Sequence, residues 1–387
     1  MSKLWYTVTL MLSLLCLIST FYFGTFFNYR STSPVDTTSG YQSDASDAPC
    51  TFAIFRQAYK HQGYFPRGGR WLLTKGPPHY QPEICKFRFP RVDKRFVLRC
   101  LSNANISGML TSGDSTGGRY SQALVKTSQL SFRRVRSEKS KGGGFYPDEK
   151  YFSSQLPPHV AKLLRTKGRF CHGCSCFLQS TKLTVSNKTY TFNIEHIAHT
   201  MILDHTLDIV YPIGEEGLRV PDNVWVTTAQ ELIFRYYLQD RYPDVFIVFL
   251  PFAHVKRHLL LHRLQMELKY FKSLIEEYIP RTTKVIYMPA YGEFEEARKS
   301  REWKNRLFEN MLATEKIDKM NHVLYDVLES DLLDPKGRVY GFLDLIEASK
   351  DRKGWSTDGV HMAPVWYESV MSMFWETYCN SVLLNEF

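Results

Sequence analysis

The sequence has no Asp-x-Asp motif, and no glycine-rich loop followed by Lys-Ser or Lys-Thr. The first absence removes the usual metal–nucleotide signature of a glycosyltransferase. The second removes the phosphate cradle of a sulfotransferase, because Gly142-Gly143-Gly144 has no such partner after it. Only one Cys-x-x-Cys is present. The cluster Cys171-His172-Gly173-Cys174-Ser175-Cys176 therefore lacks the distant second ligand pair of a structural zinc site, and disulfides to Cys100 or other cysteines are expected instead. No internal repeat of about 20–50 residues is found. The net charge is +10, yet the basic residues form no nucleic-acid-binding motif, so a nucleic-acid partner is not expected. The run Arg133, Arg134, Arg136, Lys139 and Lys141 reads first as a solvated loop beside three glycines, and second as a contact for an acidic partner.

Charge is also absent from Leu4 to Phe27. An apolar stretch of that length crosses a bilayer core of about 30 Å as a helix. Its far end, Phe21-Tyr22-Phe23-Gly24-Thr25-Phe26-Phe27, is a poor cleavage site, which favours an uncleaved signal anchor over a signal peptide. Residues 28–49 are rich in Ser, Thr, Asp and Gly and read as a stalk. The expected organisation is thus a cytoplasmic end at 1–3, an anchor at 4–27, a stalk at 28–49 and a lumenal domain at 50–387, with 131–185 as a basic, cysteine-containing insertion. The sequons at Asn105 and Asn187 point the same way, towards a type II protein of the Golgi or another secretory membrane. So does cysteine usage. Seven of the 8 cysteines lie beyond Cys16, an odd number, so one thiol is free or pairs between chains.

What is present after Cys50 is an alternation of strands and helices. Cys50 to Cys100 reads as a disulfide-tied prelude with short extended runs such as Arg95-Phe96-Val97-Leu98. Strands are then expected at 106–111, 190–197, 206–211, 244–250 and 285–288, with helices at 117–130, 227–240, 255–279, 293–328 and 363–378. This order implies an α/β three-layer sandwich around a mainly parallel sheet.

Two motifs carry chemistry on that frame. Gly113-Asp114-Ser115 follows a strand and precedes a helix, which exposes Ser115 at the sheet's carboxyl edge and puts its N–H at a helix start. Asp358-Gly359-Val360-His361 precedes the last helix. His361 supplies the base that a serine hydroxyl needs, and Asp358 the carboxylate that holds a tautomer. His196, His199 and His205, with Asp204 and Asp208, have spacings that match neither strand nor helix, so they read as core or surface residues and no metal site is expected.

Strand–Gly-Asp-Ser–helix early and Asp-x-x-His late together resemble the SGNH/GDSL hydrolase superfamily. Gly113-Asp114-Ser115-Thr116 and Trp355-Ser356-Thr357-Asp358-Gly359-Val360-His361 are most similar to the PC-esterase branch, including the neurexophilin-and-PC-esterase-domain proteins. The resemblance spans about residues 95–380. It implies O-acyl chemistry on carbohydrate or glycoprotein, with Ser115, Asp358 and His361 as catalytic residues and no cofactor beyond an acyl donor in a transferase. It places His254, after the strand at 244–250, as an oxyanion donor or substrate contact, with Asp114 and Arg119 beside the nucleophile. Three features depart from the family pattern. Gly118 stands where an arginine is usual and Arg119 comes one later. The Asn of the middle block is absent. The second oxyanion glycine has only Gly173, Gly214 and Gly217 as candidates. These departures keep open a non-catalytic binding protein on the same fold.

Overall fold

Five consecutive residues, Val245–Phe249, are all buried. A strand alternates its side chains between two faces, so such a run requires cover on both. The computed structural model, which describes residues 47–62, 68–72, 78–88, 92–138, 176–185, 188–198, 229–238, 241–250, 261–292, 314–350, 352–356 and 361–386, shows what supplies it. In chain order the elements are α1 (Phe52–Gln62), β1 (Gly69–Leu72), β2 (His79–Pro82), α2 (Lys94–Asn103), β3 (Gly108–Gly113), α3 (Ser115–Thr127), β4 (Arg133–Glu138), β5 (Cys176–Val185) and β6 (Lys188–Ala198). There follow α4 (Ala229–Leu232), which continues as a π turn over Ile233–Tyr237, then β7 (Val245–Phe249), α5 (Leu261–Tyr278), β8 (Lys284–Met288), α6 (Thr314–Leu333), β9 (Val339–Phe342), α7 (Ile346–Lys350) and α8 (Pro364–Leu383).

Among the described residues, seven strands form one sheet in the order β4-β5-β6-β3-β7-β8-β9. β6, β3, β7, β8 and β9 run parallel, while β5 pairs antiparallel with both β6 and β4. Phe246 meets Phe234 at 5.6 Å between ring centroids, and Phe234 meets Phe271 of α5 at 5.7 Å. Phe249, of opposite parity in β7, stacks on Tyr120 of α3 at 5.1 Å. One face is therefore covered by α4 and α5 and the other by α3, the three-layer arrangement expected from the alternation. α8 packs on α3 and is buried along nearly its whole length from Trp366 to Val382, as a central core helix should be.

The chain leaves β3 for the far edge, returns to β6 on one side of β3, then crosses to β7 on the other. β3 thus lies at a switch in strand order, where open α/β sheets hold ligands beyond their carboxyl ends.

Several elements differ from the sequence reading. Arg95-Phe96-Val97-Leu98 is helical, not extended: Asp93 caps α2 by accepting from Arg95 N at 3.3 Å, and Val97, Cys100 and Leu101 bury one helical face. The prelude is tied by a Cys50–Cys85 disulfide, but Cys100 bonds to Cys379 of α8, not to the 171–176 cluster. Cys176 is also disulfide-bonded, to a cysteine outside the described residues. The ends of the segment 131–185 supply two strands of the main sheet. β4 forms its edge, with a bulge at Arg134/Arg136 and Arg133 and Arg134 exposed, features that blunt edge-to-edge pairing. α3 begins at Ser115, two residues earlier than its glycines suggest, and β9 has no counterpart in the sequence reading. The expected anchor, residues 28–46 of the expected stalk, the strand at 206–211 and the segment 293–313 lie outside the described residues, whereas 47–49, read as the end of the stalk, join the domain: the Lys86 N–H donates to the Ala48 carbonyl at 2.7 Å and Pro49 bridges to Lys86. Among those described, no helix is long and apolar enough to cross a membrane.

Candidate active site

β3 ends in Gly113 because nothing larger fits. A Cβ there would stand 2.8 Å from Phe249 Cβ and 3.1 Å from the Gly117 Cα. The close approach delivers the chain straight into α3, with Asp114 as its cap. The Asp114 Oδ1 accepts from the Thr116 N–H at 2.9 Å and from the Thr116 hydroxyl at 2.6 Å. Asp114 is buried and that oxygen is committed to the helix end. Ser115 is the first helical residue, so the helix offers its N–H no carbonyl. The N–H remains a donor at the positive end of the helix dipole.

Ser115 and His361 are 246 residues apart in sequence, and the Ser115 Oγ lies 2.8 Å from the His361 Nε2. Both side chains are half-buried, open enough for a substrate and dry enough to strengthen the contact. A hydroxyl that donates to Nε2 fixes the other tautomer, with the proton on Nδ1. Asp358, expected to accept a hydrogen bond from that Nδ1–H, lies outside the described residues, as do His254, Gly173, Gly214, Gly217, His199, His205, Asp204, Asp208 and Asn187.

The described residues on either side of 357–360 are pinned. Ser356 and Met362 form an antiparallel bridge, the Ser356 hydroxyl donates to the His361 carbonyl at 2.9 Å, and the Ala363 N–H donates to the Trp355 carbonyl at 2.6 Å. Trp355 packs edge-on against Trp71 of β1 at 5.0 Å, and the Arg352 guanidinium lies over both rings at 4.9 and 5.0 Å. The Trp71 indole N–H donates to the Ala348 carbonyl at 2.8 Å. The prelude thus packs against Arg352 and Trp355, on the N-terminal side of His361.

Sequence reasoning did not single out Met362, Tyr291 or Tyr367. The Met362 N–H donates to the Tyr367 Oη at 3.1 Å, and that phenol meets the Tyr291 Oη at 3.0 Å. Arg119 is exposed, and its Nη1 donates to the Met362 carbonyl at 3.4 Å while its guanidinium lies 5.9 Å from the Tyr367 ring centroid. Expected beside Ser115 as a substrate contact, Arg119 is found reaching Met362, the neighbour of His361. Desolvation raises the phenols of Tyr120, Tyr291 and Tyr367 above their ordinary values, so all three stay as O–H groups at neutral pH.

His196 lies beneath α3 with no exposed surface. Its Nδ1 is 3.0 Å from both the Thr111 and Ser121 hydroxyls. Ser121 donates to the Gly117 carbonyl at 2.7 Å, and Thr111 and Ser121 meet at 2.7 Å. A Cβ on residue 118 would stand 3.3 Å from the His196 Nε2. The departure at Gly118 therefore has a local cause: that face of the helix is filled by an imidazole. The available signal was a polar Thr111 after Met109 and Leu110 in β3, and a His196 sharing the parity of Phe192 and Ile194 in β6, which does not say what they meet.

Asn105 ends α2 in the left-handed region at φ 52° and is exposed. The hydroxyl of its sequon partner Ser107 donates to the Asp244 Oδ2 at 2.9 Å.

No family model matches this chain. No curated protein matches it. Among solved structures, a peptidoglycan O-acetylesterase is similar at 11% identity over 75% of this chain and 96% of that one, with a TM-score of 0.39. A salicylyl-acyltransferase from a tetracycline biosynthetic pathway is similar at 9% identity over 72% of this chain and 55% of that one, with a TM-score of 0.32. The topology itself is a mostly parallel seven-stranded sheet between helices, an α/β three-layer arrangement.

Proposed function

We propose that this chain is a membrane-anchored serine esterase or O-acyltransferase of the secretory pathway that acts on glycans or glycoproteins. The observation that carries the reading is the 2.8 Å contact between the Ser115 hydroxyl and the His361 imidazole at the carboxyl end of the central strand. In the proposed reaction the Ser115 Oγ attacks the ester carbonyl and its proton passes to the His361 Nε2. The developing oxyanion accepts from the Ser115 N–H. Collapse breaks the bond to the alcohol, which takes the proton back from His361, and leaves an acyl-serine. Water or a sugar hydroxyl then attacks, with His361 again the base, giving hydrolysis or transfer. Asp358 is proposed as the carboxylate that orients His361, and His254 as a further oxyanion donor or substrate contact. A transferase would take an acyl donor; no metal enters the proposed chemistry.

The compartment rests on other features. The charge-free segment from Leu4 to Phe27 serves as the anchor. Two described disulfides suit an oxidising lumen. Exposed Asn105, together with Asn187, is proposed to carry glycan, which a mobility shift on deglycosylation would check.

A fluorophosphonate probe tests the enzyme reading on the full-length protein. Wild type is expected to label and Ser115→Ala and His361→Gln are not. Wild type and Ser115→Ala labelling equally, or neither labelling, would overturn the reading and favour a binding module on the same fold.

A further inference from the structure

We propose that Tyr367 and Arg119 are positioning residues for His361, holding both backbone polar groups of Met362 and thereby setting where Nε2 meets the Ser115 hydroxyl. The inference rests on the reading of Ser115 and His361 as nucleophile and base.

Met362 follows the imidazole directly, and its side chain is buried. Its N–H is taken by Tyr367 at 3.1 Å and its carbonyl by Arg119 at 3.4 Å. With the Ser356 hydroxyl on the His361 carbonyl at 2.9 Å, three side chains from three elements fix two successive peptide units. Arg119 lies four residues after Ser115, one turn along the same helix, so its guanidinium joins the nucleophile's helix to the base's loop. Tyr367 sits in the first turns of α8. Its phenol is held by Tyr291, and its ring stands edge-on to Tyr120 at 4.8 Å. Neither side chain touches the reacting atoms, so each acts through His361. The distances rank them: 3.1 Å is an ordinary hydrogen bond and 3.4 Å a long one, and Arg119 is also exposed, so Tyr367 carries the larger share. The effect follows from geometry, since a misplacement of about 1 Å in a catalytic pair costs on the order of a hundredfold in rate.

The experiment compares wild type, Ser115→Ala, Tyr367→Phe, Arg119→Met and Arg119→Lys by rate of fluorophosphonate labelling across pH, each shown folded by near-UV circular dichroism. Tyr367→Phe is expected to slow labelling roughly ten- to a hundredfold. Arg119→Met is expected to slow it about threefold to tenfold, with Arg119→Lys closer to wild type. Labelling of Tyr367→Phe and Arg119→Met at the wild-type rate and pH profile would overturn the proposal. Should Tyr367→Phe not fold, the two Arg119 variants decide. The second readout needs no activity: the ring resonances of His361, assigned by their loss in His361→Gln, are followed by NMR. They are expected to shift or broaden in Tyr367→Phe and Arg119→Met, and unchanged resonances would refute the clamp. Absence of labelling in wild type is a failure of the nucleophile reading alone, and the clamp is then judged on the resonances.

Discussion

Placing an arginine at position 118, where the resembled family usually carries one, is expected to damage this protein. The helix itself would gain, because replacing a glycine in a helix interior is worth about 0.5–1 kcal/mol. The site opposes it. The first atom of any side chain at 118 lands 3.3 Å from the His196 Nε2 and 3.7 Å from its Cδ2. His196 cannot retreat freely, since its Nδ1 is engaged by Thr111 and Ser121 at 3.0 Å each. For Gly118→Ala the crowding offsets the gain, and a net change within about 1 kcal/mol is expected. Gly118→Arg adds roughly 1–3 kcal/mol of overpacking and places a charge against a buried imidazole, so its net cost is expected to exceed about 2 kcal/mol. Urea unfolding of the two variants measures the difference. The double variant Gly118→Arg with His196→Ala should recover part of the loss, a coupling of about 0.5–3 kcal/mol. A Gly118→Arg protein as stable as wild type, or an unchanged penalty without the imidazole, would refute the claim that His196 dictates the glycine.

Desolvation raises the Asp344 carboxyl well above the ordinary carboxylate range, and its Oδ2 is buried without a hydrogen-bond partner among the described residues, while Oδ1 accepts from the Ile346 N–H at 2.7 Å. The folded state holds this proton longer than the unfolded chain does, so stability falls as pH rises from the unfolded value of about 4 towards the folded one. Asp344→Asn keeps the cap and removes that loss. Its urea midpoint should match wild type near pH 4 and exceed it at pH 8, and an equal difference at both would exclude the titration. The Cys100–Cys379 bridge joins residues 279 apart, and replacing both by serine should lower stability by about 2–5 kcal/mol, read as a fall in thermal midpoint with labelling at Ser115 retained below it.

Elements whose cause is local were legible in the chain. Val245 to Phe249 announces a strand covered on both faces because five apolar residues in a row leave no solvent side. Gly113-Asp114-Ser115 announces a strand-to-helix turn, because a tight approach, a cap and a first-turn serine are consecutive requirements met by consecutive residues. The helix over Lys94–Asn103 was misread because Phe96-Val97-Leu98 favours a strand by residue type, and burial of Val97, Cys100 and Leu101 against the core outweighs that weak preference. β9 went unread because Val339–Phe342 is four residues long and contains Gly341, whose missing Cβ lets Phe52 approach from the other end of the chain.

By itself, then, the sequence determined the alternating α/β class, the buried middle strand, and the local settings of the serine and histidine proposed as nucleophile and base. Only the tertiary structure decided that Ser115 meets His361, that Cys100 bonds Cys379, that Arg119 reaches the Met362 carbonyl, and that an imidazole occupies the space beside residue 118. Local pattern follows from the geometry of a few adjacent residues. Partners 246 or 279 residues apart are chosen by which faces bury together once the sheet has assembled, and no short window of sequence contains both sides of that choice.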